Sequence, residues 1–119
     1  MFLKLIQFQT SATTKVRSYT QNTDWRPGIG GLKFIPLHQF QNDQMNESNA
    51  VGFWPAGEKF QPHRHFGGEE IYVLSGEFMD EYERYPMGTW IRNPHDSTHH
   101  PYVEQETIIL VKTGHLPID

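Results

Sequence analysis

The chain has no cysteine among its 119 residues, which excludes disulfide cross-links, Cys-ligated zinc, iron–sulfur clusters and thiol nucleophiles together. Basic runs are missing as well: ten Lys and Arg stand against fourteen Asp and Glu, for a formal charge of −4. A binder of phosphate backbones carries a basic stripe, so no nucleic-acid partner is expected. Long hydrophobic stretches are absent too. The apolar start, MFLKLIQF, is broken by Lys4 and Gln7 and leads to no small-residue cleavage site; it reads as a strand over residues 2–8, not as a signal peptide. No run approaches the length needed to cross a bilayer. A soluble, cytoplasmic protein with no membrane partner is the expectation.

What the chain does have is β-sheet patterning. Its length suits one domain over 1–119, able to bury a core without staples. Helical periodicity is scarce, whereas short β-branched and aromatic runs recur between Gly, Pro, Asn and Asp. These place strands at residues 2–8, 31–36, 50–54, 61–65, 69–75, 76–80, 89–92 and 107–112. Residues 24–31 read as a turn-rich loop, and QFQNDQMNES, residues 39–48, as a polar surface connection. The fold class is all-β, and many short strands with Gly and Pro turns favour a sandwich or a closed barrel.

The stretch HRHFGGEE, residues 63–70, carries the chemistry. Residues two apart on a strand share a face, so His63 and His65 project together while Arg64 points away. Two glycines then allow a tight reversal. A carboxylate at Glu69 is placed to converge on the imidazoles, with Ile71 and Val73 below it on the same interior face and Glu70 turned outward. A second histidine-rich stretch, NPHDSTHHP, supplies His95, His99 and His100, of which only one needs to point inward.

Gly57-EKFQP-His63-R-His65-FGG-Glu69-EIYVLS-Gly76 resembles the first motif of the cupin superfamily, with every fixed position filled. Gly88-TWIRN-Pro94-H-Asp96-ST-His99 is similar to the second motif, although Asp96 stands at the usual glycine and Val103 at the usual asparagine. The wording HRHFGGEEIYVLSGEF, DEYERYPMGTWIRNP and LVKTGHL, with WRPG before them, resembles the ChrR-like cupins over about residues 25–116; residues 1–24 are then an N-terminal strand and lead-in. The resemblance implies a double-stranded β-helix, or jelly-roll, barrel in which His63, His65, Glu69 and His99 bind one divalent transition metal ion. Such a donor set suits Zn, Fe, Mn, Ni or Co, and affinity order does not choose among them. Spacing to Gly76 selects Glu69 over Glu70.

The resemblance further implies a small-molecule ligand or substrate, a stand-alone dioxygenase-like or carbon–carbon-bond-cleaving activity, and a homodimer. Its rivals are a metal- or ligand-sensing module related to the cupin half of anti-sigma factors, which needs a regulatory protein partner, and a structural or storage barrel. No residue beyond the metal ligands is assigned a catalytic role. Plainer roles are expected elsewhere. His95 and His100 read as solvated loop residues before pocket-mouth proton shuttles, and His38 and His115 as surface or satisfied side chains. Phe53, Phe60, Tyr72, Phe78, Trp90 and Tyr102 read mostly as core before pocket walls. Asp80, Glu81 and Glu83 read as a solvated turn, Arg92 as a brace before Pro94, and Trp25 as a cover over a sheet.

Overall fold

A computed structural model describes residues 15–17, 24–61 and 63–118; the strand expected over residues 2–8 lies outside these. The described residues form ten strands and no helix: β1 (Arg26–Pro27), β2 (Lys33–Gln41), β3 (Asn46–Trp54), β4 (His63–Arg64), β5 (Glu69–Ser75), β6 (Glu77–Met79), β7 (Arg84–Pro86), β8 (Trp90–Asn93), β9 (Thr98–His99) and β10 (Thr107–Thr113). Six of them make an antiparallel sheet in the order β1-β2-β3-β10-β5-β8, while β4 pairs with β9 and β6 with β7.

Period-two alternation sets the faces. Along β5, Glu69, Ile71 and Val73 are buried while Tyr72 and Leu74 are each 42% exposed, which matches the alternation read from the sequence. The core lies between the inner face of the large sheet and the smaller pairs. Trp54, Ile71, Val73 and Ile109 from the sheet pack with Phe78 and Val103, and Trp54 meets Phe78 edge-on at 5.2 Å. Burying each of the larger side chains contributes roughly 1.5–3 kcal/mol.

The inner face is layered. One cross-strand row, Gln39–Ser48–Thr113–Glu69–Asn93, is polar from β2 to β8. The adjacent row, Ala50–Val111–Ile71–Ile91, is apolar. This explains where the sequence reading fell short. Residues 39–48 are not a surface connection: β2 and β3 run through them, paired up to Gln41↔Asn46. Their inward positions are Gln39 and Ser48, both buried, so polarity there does not mark solvent. The turn itself is short, with the Asn42 side chain accepting from the backbone N–H groups of Gln44 and Met45 at 2.8 and 2.9 Å.

Three other expectations need correction. Asp80 is buried, not solvated: its carboxylate accepts from the N–H groups of Tyr82 and Glu83 and from the Tyr85 hydroxyl, closing the β6–β7 turn. Tyr72 and Trp90 are not core; they pair across β5 and β8 on the outer face, Trp90 being 55% exposed. Arg92 braces no loop, for it reaches across to Glu70 at 2.7 Å and lies over the Trp90 ring. Trp25 does cover a sheet, packing 5.8 Å from Phe53.

Candidate metal centre

The two-residue pair β4–β9 sets His63 directly opposite His99. Arg64 turns away, 3.3 Å from Asp96. The rings of His63, His65 and His99 form a nearly equilateral triangle with centroids 4.6, 4.8 and 4.8 Å apart. One nitrogen from each lies within 4.8 Å of the others, an arrangement that could hold a metal ion. His65 Nε2 and His99 Nε2 are 2.8 Å apart. Glu69 Oε1 lies 3.2 Å from the first and 3.5 Å from the second, so all four residues singled out in the sequence come to one place. His63 Nδ1 donates to the Gln61 carbonyl at 3.1 Å, which leaves its Nε2 as the free lone pair. Asn93 donates to Glu69 at 3.3 Å. His99 Nδ1 is buried without a partner.

Burial controls the charge here. It pushes His65 down to about 3, helped by His99 and His63, and His99 down to about 4, helped by His63 against Asp80 and Glu81. Both rings are therefore neutral at physiological pH, the form that ligates. Burial pushes Glu69 up to about 7, and the hydrogen bond from Asn93 only partly opposes it. Contacts between Glu69 and the two rings are thus not ordinary ion pairs, because neither His65 nor His99 carries positive charge.

The loop between the ligand pairs is gripped from outside. Gly67 and Gly68 have φ of +77° and +73°, and a Cβ on Gly67 would lie 2.7 Å from Gly114 Cα. The segment after β10 donates from Gly114 to the Gly68 carbonyl at 3.1 Å and from Leu116 to the Gly67 carbonyl at 2.8 Å. The imidazole of His95 accepts from the Gly67 N–H at 2.8 Å and lies under Phe66. His95 is therefore a loop anchor, not a solvated residue. His115 bonds to the outward carboxylate of Glu70 through Nε2, while its Nδ1 is buried without a partner, so it is neither a surface residue nor a fully satisfied one. Neither anchor carried a spacing signal, although the TGHL wording was visible. Asp96, at the usual glycine, adopts φ +68°, a conformation that Asp tolerates better than most residues.

Beside the imidazoles opens a cavity of about 480 Å³ walled mainly by apolar side chains, among them Phe34, Trp54, Ile71, Phe78 and Ile109. Phe66 and Ile29, 77% and 50% exposed, stand along its lining. Neither His95 nor His100 contributes to this lining; His100 borders a small separate hollow, its backbone N–H donating to Glu81.

An antiparallel β-barrel with an HxH arm, a following glutamate and a histidine from a second arm around its interior defines a cupin. The chain belongs to the ChrR cupin-like domain family, whose model matches residues 13–117. It is similar to the crystal structure of Rhodobacter sphaeroides SigE in complex with the anti-sigma ChrR, at 27% identity and TM-score 0.65 over 75% of this chain, and it spans only 48% of the matched chain. The acetylacetone dioxygenase from Acinetobacter johnsonii shares the fold at TM-score 0.75 and 15% identity, over 89% of this chain and 78% of that one. KdgF from Halomonas sp. does so at TM-score 0.60 and 20% identity, over 81% and 92%. No curated protein matches the sequence.

Proposed function

We propose that this cupin holds one divalent transition ion through His63, His65, Glu69 and His99 and acts on a small, largely apolar molecule. The observation that carries the reading is the cavity of about 480 Å³ opening directly beside the imidazole triangle, a size that suits small ligands. The donor atoms lie close enough to share an ion: bonds of about 2.1 Å set neighbouring ligand atoms about 3–3.5 Å apart, the separations among His65, His99 and Glu69 are 2.8, 3.2 and 3.5 Å, and the three imidazole donors lie within 4.8 Å of one another. An ion bound there supplies a Lewis acid for a substrate oxygen. The chain's own residues do the rest. Burial keeps His65 and His99 neutral, Asn93 orients Glu69, the Gln61 carbonyl fixes the His63 tautomer, and the apolar wall keeps water from the bound molecule.

An oxygen-dependent reaction on an oxygen-chelating substrate is the form we favour, since barrels of this fold include acetylacetone dioxygenase. Anaerobic purification, metal analysis and oxygen uptake by the iron and manganese forms with β-diketones test it. Turnover in one metal form is expected, and no uptake in any form overturns the enzyme reading. The 27% identity to a chain of the SigE–ChrR complex favours one alternative, a sensing module that binds a separately encoded sigma-type protein. Co-purification of such a protein in place of turnover would establish it. Either reading includes a homodimer, and a monomer by light scattering at micromolar concentration removes that part.

A further inference from the structure

The polar row on the sheet's inner face is not used by the centre just described beyond Glu69 and Asn93. Three more members continue it: Thr113 pairs with Glu69, Ser48 with Thr113, and Gln39 with Ser48. Ser48 and Thr113 line the cavity. Gln39 stands on the same face one strand further, 1% exposed, and neither atom of its carboxamide has a hydrogen-bond partner. Buried amides are almost always paired, because one stripped of water and left alone is costly. Three adjacent inward positions therefore offer donors and acceptors where the next row offers Ala50 and Val111.

We propose that Ser48 and Thr113, backed by Gln39, form a polar subsite that reads an uncharged hydrogen-bonding group, a carboxamide or a hydroxyl, on the molecule in the cavity. This rests on the reading that the cavity takes a small molecule, and not on the identity of the metal. Hydroxyls and an amide both donate and accept, which matches groups that do the same. An anionic group is disfavoured on this row: no member of it is a cation, its one ionisable member is the carboxyl of Glu69, and the cations along the cavity, Lys33 and Arg64, are solvent-exposed. Glu69 and Gln39 are three strands apart, about 14 Å along the wall at about 4.8 Å per step. Thr113 and Ser48, the members that line the cavity, stand one and two strands from Glu69, about 5 and 10 Å along the wall, with Gln39 behind them.

Benzamide, benzyl alcohol, benzoate and toluene are the probes, followed by ¹⁵N and methyl NMR on the full chain with metal content measured in every sample. The Gln39 side-chain amide is assigned by its loss in Gln39→Leu. Benzamide and benzyl alcohol are expected to shift that amide and the Ser48 and Thr113 signals, while toluene shifts only Ile71 and Ile109 and benzoate leaves the row unmoved. Ser48→Ala, which removes a hydroxyl lining the cavity, should weaken benzamide by about tenfold, the scale of one buried hydrogen bond, without weakening toluene. Should that variant not fold, Thr113→Val and the wild-type shift map decide. Shifts at Ile71 and Ile109 with a silent polar row, or a row that prefers benzoate, overturn the subsite and leave the cavity reading standing. Silence of every lining residue to all four probes overturns both.

Discussion

Glu69 and Glu70 are neighbours on β5, yet one faces the barrel interior and the other the opposite side of the sheet. Inside, burial raises the Glu69 carboxyl to about 7 beside the neutral imidazoles of His65 and His99. Outside, burial also pulls Glu70 upward, but hydrogen bonds from His115 and Arg92 outweigh it and hold the carboxyl below its usual range. The same side chain is thus a candidate ligand in one position and a clamp in the next. The alternation of a strand, not residue type, assigns the roles.

The comparison breaks most severely if the outer clamp fails to hold the loop. Gly114→Ala places a Cβ 1.9 Å from the Asn46 carbonyl at φ +82°, and a loss of more than about 3 kcal/mol is expected by chemical denaturation. Gly57→Ala, at φ +81° with open space around it, should cost only about 1 kcal/mol. Next comes the pair itself. Glu69→Gln should weaken zinc binding by about a hundredfold in chelator competition, equivalent to about 2.7 kcal/mol, with little change in the fold. Glu70→Gln should do the reverse, costing about 1–2 kcal/mol of stability and shifting zinc affinity by less than about threefold. Equal effects on zinc would mean that the face assignment is wrong.

Acidity sharpens the contrast. In the metal-free protein, Glu69 keeps its proton after the unfolded chain has lost it, so its contribution to stability is full below pH 4.5 and is lost as pH rises through about 7. His65 and His99 run the other way: their contribution is present above pH 6.5 and fades as pH falls toward about 4. Stability of the wild type minus that of Glu69→Gln isolates the carboxyl, and this difference should fall by about 3 kcal/mol between pH 4.5 and 8. A flat difference would place Glu69 in water. The smallest effect belongs to Arg64→Gln: its exposed contact with Asp96 at 3.3 Å is worth less than about 1 kcal/mol, and melting should barely move.

The convergence of His63, His65, Glu69 and His99 is legible in the sequence. The HxH spacing and the alternation Glu69, Ile71, Val73 each state a face, and a strand obeys that statement wherever it packs. The extent of β2 and β3 was hidden because Gln39 and Ser48 are polar residues at inward positions, so composition pointed to solvent. Asp80 was misread for a similar reason: its partners are backbone N–H groups of the next turn, which no residue type announces. His95 and His115 act through contacts 28 and 45 residues away in the chain. Only register brings such partners together, and register is a property of the assembled sheet.

The grip of Gly114 and Leu116 on Gly67 and Gly68 also bears on the order of assembly. The loop joining His65 to Glu69 is made early in synthesis, but the backbone groups that fix its shape belong to residues that follow about fifty positions later. On a ribosome the histidines and the carboxylate would emerge long before their final spacing is enforced. The spacing of the three imidazoles and the carboxylate therefore depends on contacts of long sequence separation, made where β10 lies between β3 and β5 and the turn after it crosses the loop, the class of contact that slows folding.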